Sequence, residues 1–359
     1  MMQTYFTPGP AQLYPTFEKH LKTFVDRQLG SVSHRSQVYR ELHAFTVSQL
    51  RSLLSVPDTH AILFLGSASE VWERILLSMV EKESFHLVNG SFSQKFYQYA
   101  LAAGKKATKM EKAPGNGFDF DEITVPEEAE LICTTHNETS CGVQMTETEI
   151  HRLKEAHPDK MIAVDMVSSA PYPALDYSLV DTAFFSVQKA FGLPAGLGVW
   201  IVGKQCLEKA ILLKERKGLS IGAHHDLPTL WKNALNNETP ATPNVMLIYL
   251  LGKIAADMND KGVDTIRKET EKKAGLLYGF ARANDAFSPF VLSEHHRSRT
   301  VAVLDTQLPA AEIIARLKER NLVIGSGYGD KKATQVRIAN FPATDVAQIE
   351  ALVSELAKI

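Results

Sequence analysis

The stretch Asp181-Thr182-Ala183-Phe184-Phe185-Ser186-Val187-Gln188-Lys189-Ala190-Phe191-Gly192 decides the reading of this chain. Residues 181–187 have the length and the aromatic and branched content of a buried strand. A glutamine and a lysine follow at once. In a sheet covered on both faces, ligands bind beyond the C-terminal ends of the strands. Lys189 therefore falls where chemistry is done. A lysine amine forms a Schiff base with a carbonyl compound when its surroundings lower its pKa. Taken alone the signal is weak, because lysines are mostly solvated surface residues.

The same pattern recurs on either side. Residues 61–65 read as a strand, followed by Gly66-Ser67-Ala68-Ser69 and then by Val71, Trp72, Ile75, Leu76, Met79 and Val80 at helical spacing. Small residues between a strand and a helix let backbone N–H groups close around a phosphate; an ordinary serine N-cap reads equally well. The strand Met161–Asp165 ends in an acid. An aspartate beside a pyridine nitrogen keeps that nitrogen protonated and the ring an electron sink; a turn or cap acid is the plainer alternative. Asp165 precedes Lys189 by 24 residues, with one strand unit between them. Further strands are expected at 86–88, 131–135 and 197–202, with helical segments such as 148–156 between most of them. Strands alternating with helices imply a largely parallel sheet with helices on both faces.

From about residue 245 the pattern changes. Helices are expected at 244–259 and 264–285, then a strand at 300–304, a helix at 310–320, a strand at Gln335–Ala339 and a final helix at 344–358. That sequence of elements reads as a smaller α+β domain. The expected division is a large α/β domain over 15–250 and a small domain over 251–359 together with 1–14.

Bulk properties narrow the function classes. The chain has 359 residues, 45% of them hydrophobic and 22% charged, which suits a two-domain soluble globular enzyme. A net charge of -2 recruits neither nucleic acid nor an anionic membrane. The three cysteines, Cys133, Cys141 and Cys206, are odd in number and lack CxxC spacing, so neither a disulfide framework nor a zinc site is expected. The N-terminal residues show no basic region leading into an apolar run, and no apolar stretch approaches a membrane span. A cytoplasmic location is expected.

Phosphate loop, aspartate and lysine, in that order, resemble the fold-type-I pyridoxal-phosphate enzymes. Ser33-His34-Arg35-Ser36, His136-Asn137-Glu138-Thr139, the stretch from Ser186 to Gly192 with Pro194-Ala195-Gly196-Leu197, and Thr239-Pro240-Ala241-Thr242 resemble the class V branch. Together with the opening Phe6-Thr7-Pro8-Gly9-Pro10-Ala11, they look most like the phosphoserine aminotransferase family, over residues 5–343. The resemblance implies a PLP-dependent aminotransferase of serine biosynthesis acting on O-phospho-L-serine and 2-oxoglutarate with ping-pong kinetics. It implies that Lys189 carries the cofactor and moves the proton, that Asp165 pairs with the pyridine nitrogen, and that Thr139 bonds the ring's phenolic oxygen. Phe92 would stack on the ring, and Ala68, Ser69 and Gln188 would hold the phosphate. Thr239 would reach that phosphate from a partner subunit, making a homodimer with shared active sites. Arg337 would clamp the substrate α-carboxylate, since a guanidinium fork matches two carboxylate oxygens. His34 and Arg35 would bind the distal substrate group.

The sequence departs from that family at the distal end. Ser69 stands where a basic residue is common, Glu238 where Asn is common, and Phe92 where close relatives use Trp. A His-Arg pair commonly precedes the carboxylate arginine; here the region reads Gly329-Asp330-Lys331-Lys332. Lys331 or Lys332 would have to stand in. These departures bear on the substrate and leave open an aminotransferase acting on alanine or serine with glyoxylate. A lyase of the same fold is the other alternative; a desulfurase would need a mobile cysteine later in the chain than Cys206. A non-catalytic binding protein is opposed by the intact Lys189, Asp165 and Thr139. No metal site is expected: Glu294-His295-His296-Arg297-Ser298-Arg299 reads as a solvated loop, and His224-His225 as a loop near the mouth of the site. Gly325-Ser326-Gly327-Tyr328-Gly329 lacks dinucleotide spacing and reads as a flexible loop near the substrate.

Overall fold

The computed structural model describes residues 3–216 and 219–359. Its larger sheet has seven strands in the spatial order His60–Leu65, Gly198–Gly203, Thr182–Ser186, Met161–Asp165, Ala129–Thr135, Glu83–Val88 and Lys106–Glu111. Alternate residues of each strand face opposite ways. Ile62, Phe64, Ile162, Val164, Phe185 and Val199 join one buried cluster, closed by the helices Gln37–Leu54 and Val245–Lys261. Leu63, Leu65, Ala163, Phe184 and Trp200 join another, under Ala68–Met79, Ser91–Ala102 and Lys204–Glu215. The sheet is thus covered on both faces, as the apolar runs require.

One strand runs against the rest. Gly198–Gly203 is antiparallel to both its neighbours, so that Leu65 pairs with Gly198 and Gly198 with Ser186. This reversal leaves the ends of His60–Leu65 and Thr182–Ser186 at the same edge of the sheet. Asp165, which pairs with both Thr135 and Phe184, ends there too. The loop Gly66–Ser69, Asp165 and Lys189 are therefore gathered by register.

A second sheet of five strands runs in the order Thr4–Phe6, Leu322–Ser326, Gln335–Ala339, Val301–Thr306 and Phe287–Pro289. It packs on Val263–Ala283, Ala310–Glu319 and Val346–Leu356 around a core that includes Phe6, Leu277, Leu304, Ile338 and Leu352. Two expectations are corrected here. Gly325 and Ser326 are strand residues paired with Arg337 and Val336, not a loop. Residues 296–298 are buried, not solvated. His296 Nε2 faces Asp119 at 3.1 Å, its carbonyl accepts from Gln144 N, and Arg297 donates to the carbonyls of Val291 and Leu292.

Candidate active site

A cavity of about 460 Å³ opens at the C-terminal edge of the large sheet. Ala68, Ser69, Phe92, Thr139, Asp165, Gln188 and Lys189 all line it, so seven residues singled out from the sequence meet in one place. The walls also carry Trp72, Lys95, Asn137 and Ser186.

Lys189 is held by the turn after its strand and by the N-terminal segment crossing over it. Gly192 takes a positive φ of 57° and donates to the Lys189 carbonyl, while Ala11 N donates to Gln188 O at 3.0 Å. The ammonium donates to Pro8 O at 2.5 Å. A Cβ at Gly9, whose φ is 131°, would lie 2.6 Å from the lysine's Cδ and Cε. Glycine at this position lets the backbone approach the amine. Burial, and then the charge of Arg337, lower the Lys189 pKa to about 8 against the pull of Asp165 and Glu138. The amine is thus prepared to lose its proton near neutrality.

Asp165 is buried, and burial raises its pKa to about 7. Trp72 donates its indole N–H to Oδ2 at 3.1 Å and Val167 its backbone N–H to Oδ1 at 2.9 Å, both opposing that rise. A buried carboxyl held near its titration point ionises when a cation is placed against it. Thr139 donates to Ser168 Oγ at 2.7 Å, and Asn137 Nδ2 does the same at 2.7 Å.

The loop Gly66-Ser67-Ala68-Ser69 is fixed from three sides. Ser67 caps the helix Ala68–Met79 by accepting from Glu70 N, and Ala68 N donates to Ser186 Oγ at 3.1 Å. A Cβ at Gly198 would come within 2.5 Å of the Ser67 carbonyl carbon, so glycine lets the neighbouring strand pass this close. Glu70 ties Gly66 N at 2.7 Å and His225 Nδ1 at 2.5 Å, which places His225 beside the loop.

Arg337 stands at the cavity's edge. Its Nε donates to Ser326 O at 2.8 Å and its Nη1 to Thr139 O at 3.2 Å, and its guanidinium lies 5.2 Å from the centre of the Tyr328 ring. Thr239, His34 and Arg35 are not in the cavity of their own chain. Arg35 is paired with Glu238, next to Thr239, and Arg40 binds the same carboxylate at 2.5 Å. Lys331 points elsewhere, 6.0 Å from the centre of the Phe290 ring.

Several contributors were not singled out by sequence. Trp72 has helical spacing in the sequence, and its indole N–H is what meets Asp165. Glu138, buried within the quoted Asn137–Thr139 stretch, accepts from the backbone N–H groups of Phe92, Ser93 and Ser140 and so anchors the helix carrying Phe92. Lys95 follows Phe92 by one helical turn, a spacing that places both on one face.

The geometry suits a cofactor with a phosphate, a basic ring nitrogen and a carbonyl carbon. The buried Gln188 Oε1 and Asn137 Oδ1 have no partner among the described residues, and Gln188 and Asn137 both line this cavity. The model of the family described as aminotransferase class-V matches residues 5–346. The chain belongs to the class-V aminotransferase family. A phosphoserine aminotransferase from Nocardioides sp. is 29% identical to this aminotransferase over 351 residues, 97% of this chain and 92% of that one. The crystal structure of a phosphoserine aminotransferase from Cytophaga hutchinsonii matches it with a TM-score of 0.97 at 47% identity, covering 99% of this chain and 98% of that one. A PLP-bound phosphoserine aminotransferase from Trichomonas vaginalis shares the fold, with a TM-score of 0.82 at 21% identity over 99% of this chain and 100% of that one. The aminotransferase is a pyridoxal-phosphate enzyme with the α/β fold of the fold-type-I class, acting on small molecules. Among the described residues no helix is long and apolar enough to cross a membrane.

Proposed function

We propose that this aminotransferase moves the amino group of O-phospho-L-serine to 2-oxoglutarate, giving 3-phosphohydroxypyruvate and L-glutamate. The full-length likeness to the Cytophaga hutchinsonii enzyme carries this reading of the substrate. The reading includes a homodimer in the cytoplasm. Thr239 and Arg35 lie together outside their own cavity, which supports their serving the site of a second copy. It also includes the division into 15–250 and 251–359 with 1–14, supported by the pairing of Thr4–Phe6 with Leu322–Ser326 in the small sheet.

When bound, the cofactor supplies a carbonyl carbon that takes up amino groups and a ring that accepts electrons. Ala68, Ser69 and Gln188 would hold its phosphate, at the positive end of the helix Ala68–Met79, with the partner's Thr239. Phe92 would cover one ring face. Thr139, oriented by Ser168, would donate to the ring oxygen. Asp165 would hold a proton on the ring nitrogen, its carboxylate steadied by Trp72 and Val167. Arg337 would grip the α-carboxylate and so orient the α-hydrogen toward Lys189. Lys189, released as a free amine, would take that proton as general base and return it on the cofactor side. His34 and Arg35, from the second copy, would face the distal end of the substrate.

The test is product analysis of the purified enzyme with phosphoserine and 2-oxoglutarate. Stoichiometric L-glutamate with parallel-line, ping-pong kinetics is expected. Glutamate formed from another donor but not from phosphoserine would overturn the substrate and leave the reaction class standing.

A further inference from the structure

The cavity holds a cation that the reaction leaves unused. Lys95 lines it from the helix Ser91–Ala102, one turn after Phe92. Its ammonium is 3.3 Å from the Tyr328 hydroxyl, 5.4 Å from the centre of the Phe92 ring and 5.9 Å from that of Tyr328. Among the described residues it pairs with no carboxylate. Arg337 meets the same Tyr328 ring, with its guanidinium 5.2 Å from the centre. Two cations therefore stand against one aromatic ring at the mouth of the site. That arrangement suits a substrate with a carboxylate at its α-carbon and a second anion at the end of its side chain.

We propose that Lys95, with the Tyr328 hydroxyl beside it, is the binding site for the distal anion of the substrate. The same site would serve the phosphate of phosphoserine and the distal carboxylates of 2-oxoglutarate and glutamate. The inference rests on the substrate reading above and assigns it a residue.

Lys95 would act beside the His34 and Arg35 proposed to come from a second copy; within this chain the nearby basic side chains other than Lys189 and Arg337 are held elsewhere. Arg35 and Arg40 share the carboxylate of Glu238. Lys331 lies over Phe290, and Phe290 lines a separate cavity with Lys112, Asn116 and His296. Lys95 is exposed, so a ligand can reach its ammonium, which lies over two aromatic rings. Its helix is capped by Gly90, and Glu138 accepts from Phe92 N and Ser93 N in the first turn, so Lys95 and Phe92 share one anchor. An ammonium–anion hydrogen bond is charge-assisted and stronger than a neutral one.

The test uses the cofactor-loaded enzyme and Lys95→Met, which keeps the stem and removes the charge. Single-turnover rates are measured with phosphoserine, L-serine, glutamate and alanine, with KM for 2-oxoglutarate and the cofactor's Kd alongside. The preference for phosphoserine over serine, and for glutamate over alanine, is expected to shrink about 10- to 100-fold, the loss of one charge-assisted bond. The change should fall mainly on KM, with Lys95→Arg restoring part of it. Unchanged preferences in Lys95→Met would overturn the proposal. So would equal losses on all four donors with weakened cofactor binding, which would assign Lys95 to the cofactor instead. If wild-type enzyme accepts glutamate but not phosphoserine, the substrate reading fails, and the glutamate-over-alanine preference alone decides the role of Lys95.

Discussion

Asp165→Asn is expected to stabilise the cofactor-free protein above neutral pH while destroying its activity. The Asp165 carboxyl is buried, and burial raises its pKa from 3.8 to about 7. The unfolded chain gives up this proton from about pH 4 upward. The folded chain keeps it until about 7. Between those values stability falls by about 1.36 kcal/mol per pH unit, reaching a total cost of ~4 kcal/mol above the folded pKa. Below the unfolded pKa both states are protonated and the cost vanishes. Asparagine has no proton to lose. The variant's advantage over wild type should therefore grow by about 2 kcal/mol between roughly pH 5.5 and 8. Urea midpoints of the two cofactor-free proteins at both pH values measure it, at one fixed protomer concentration because oligomer stability depends on concentration. With cofactor bound, the variant would lack the anion proposed to hold the ring proton, and breaking a buried pair of ~3–5 kcal/mol should slow the half-reaction by about 10²- to 10⁴-fold. Identical pH dependence in the two proteins would show that Asp165 titrates as a solvated acid and that its burial has no such effect.

Three further substitutions probe the frame around the cofactor. Trp72→Phe removes one of the two N–H groups on Asp165 and should lower kcat/KM about 10-fold, the worth of one buried bond to a charged group, with a weaker cofactor Kd by fluorescence titration. An unchanged value would show that the indole is only core. Glu138→Gln turns an amide N–H₂ toward backbone donors and should cost about 2–4 kcal/mol in urea unfolding, since buried N–H groups of Phe92, Ser93 and Ser140 lose acceptors. Stability equal to wild type would refute the anchoring role. Gly9→Ala places a methyl within 2.6 Å of the Lys189 stem at a φ of 131°, and should lower kcat more than it raises KM. A kcat within twofold of wild type, about 0.4 kcal/mol, would show that the backbone there yields freely.

Much of this was legible because buried strands advertise themselves. Met161–Asp165 and Gln335–Ala339 fall where the apolar runs end, and the ends of such runs carry Asp165, Ser186 and the phosphate loop. Strand direction was not legible, since alternation looks the same either way. The antiparallel strand Gly198–Gly203, which gathers the site, emerges only from its pairing. Lys106–Glu111 was missed because an edge strand with charged residues on its open side lacks the apolar signal. Thr4–Phe6 and Leu322–Ser326 were missed because they are short and flanked by turn residues. Residues 296–298 misled by polarity: they are buried, with His296 on Asp119, Arg297 on the carbonyls of Val291 and Leu292, and Ser298 N on Gly142 O. The contribution of Trp72 was hidden because helical periodicity reports that a side chain is inside, and nothing of which atom its N–H meets. Lys95 carried no motif; only the fold brings it to Tyr328.

Lys189 and its surroundings are proposed to run a transamination on phosphoserine. The most direct test is the absorption spectrum of the purified enzyme during addition of O-phospho-L-serine, with Lys189→Ala as the control. A near-visible band is expected that phosphoserine bleaches to the amine form of the cofactor and 2-oxoglutarate restores, with no lysine-linked band in Lys189→Ala. A band that glutamate bleaches and phosphoserine leaves untouched would contradict the claim.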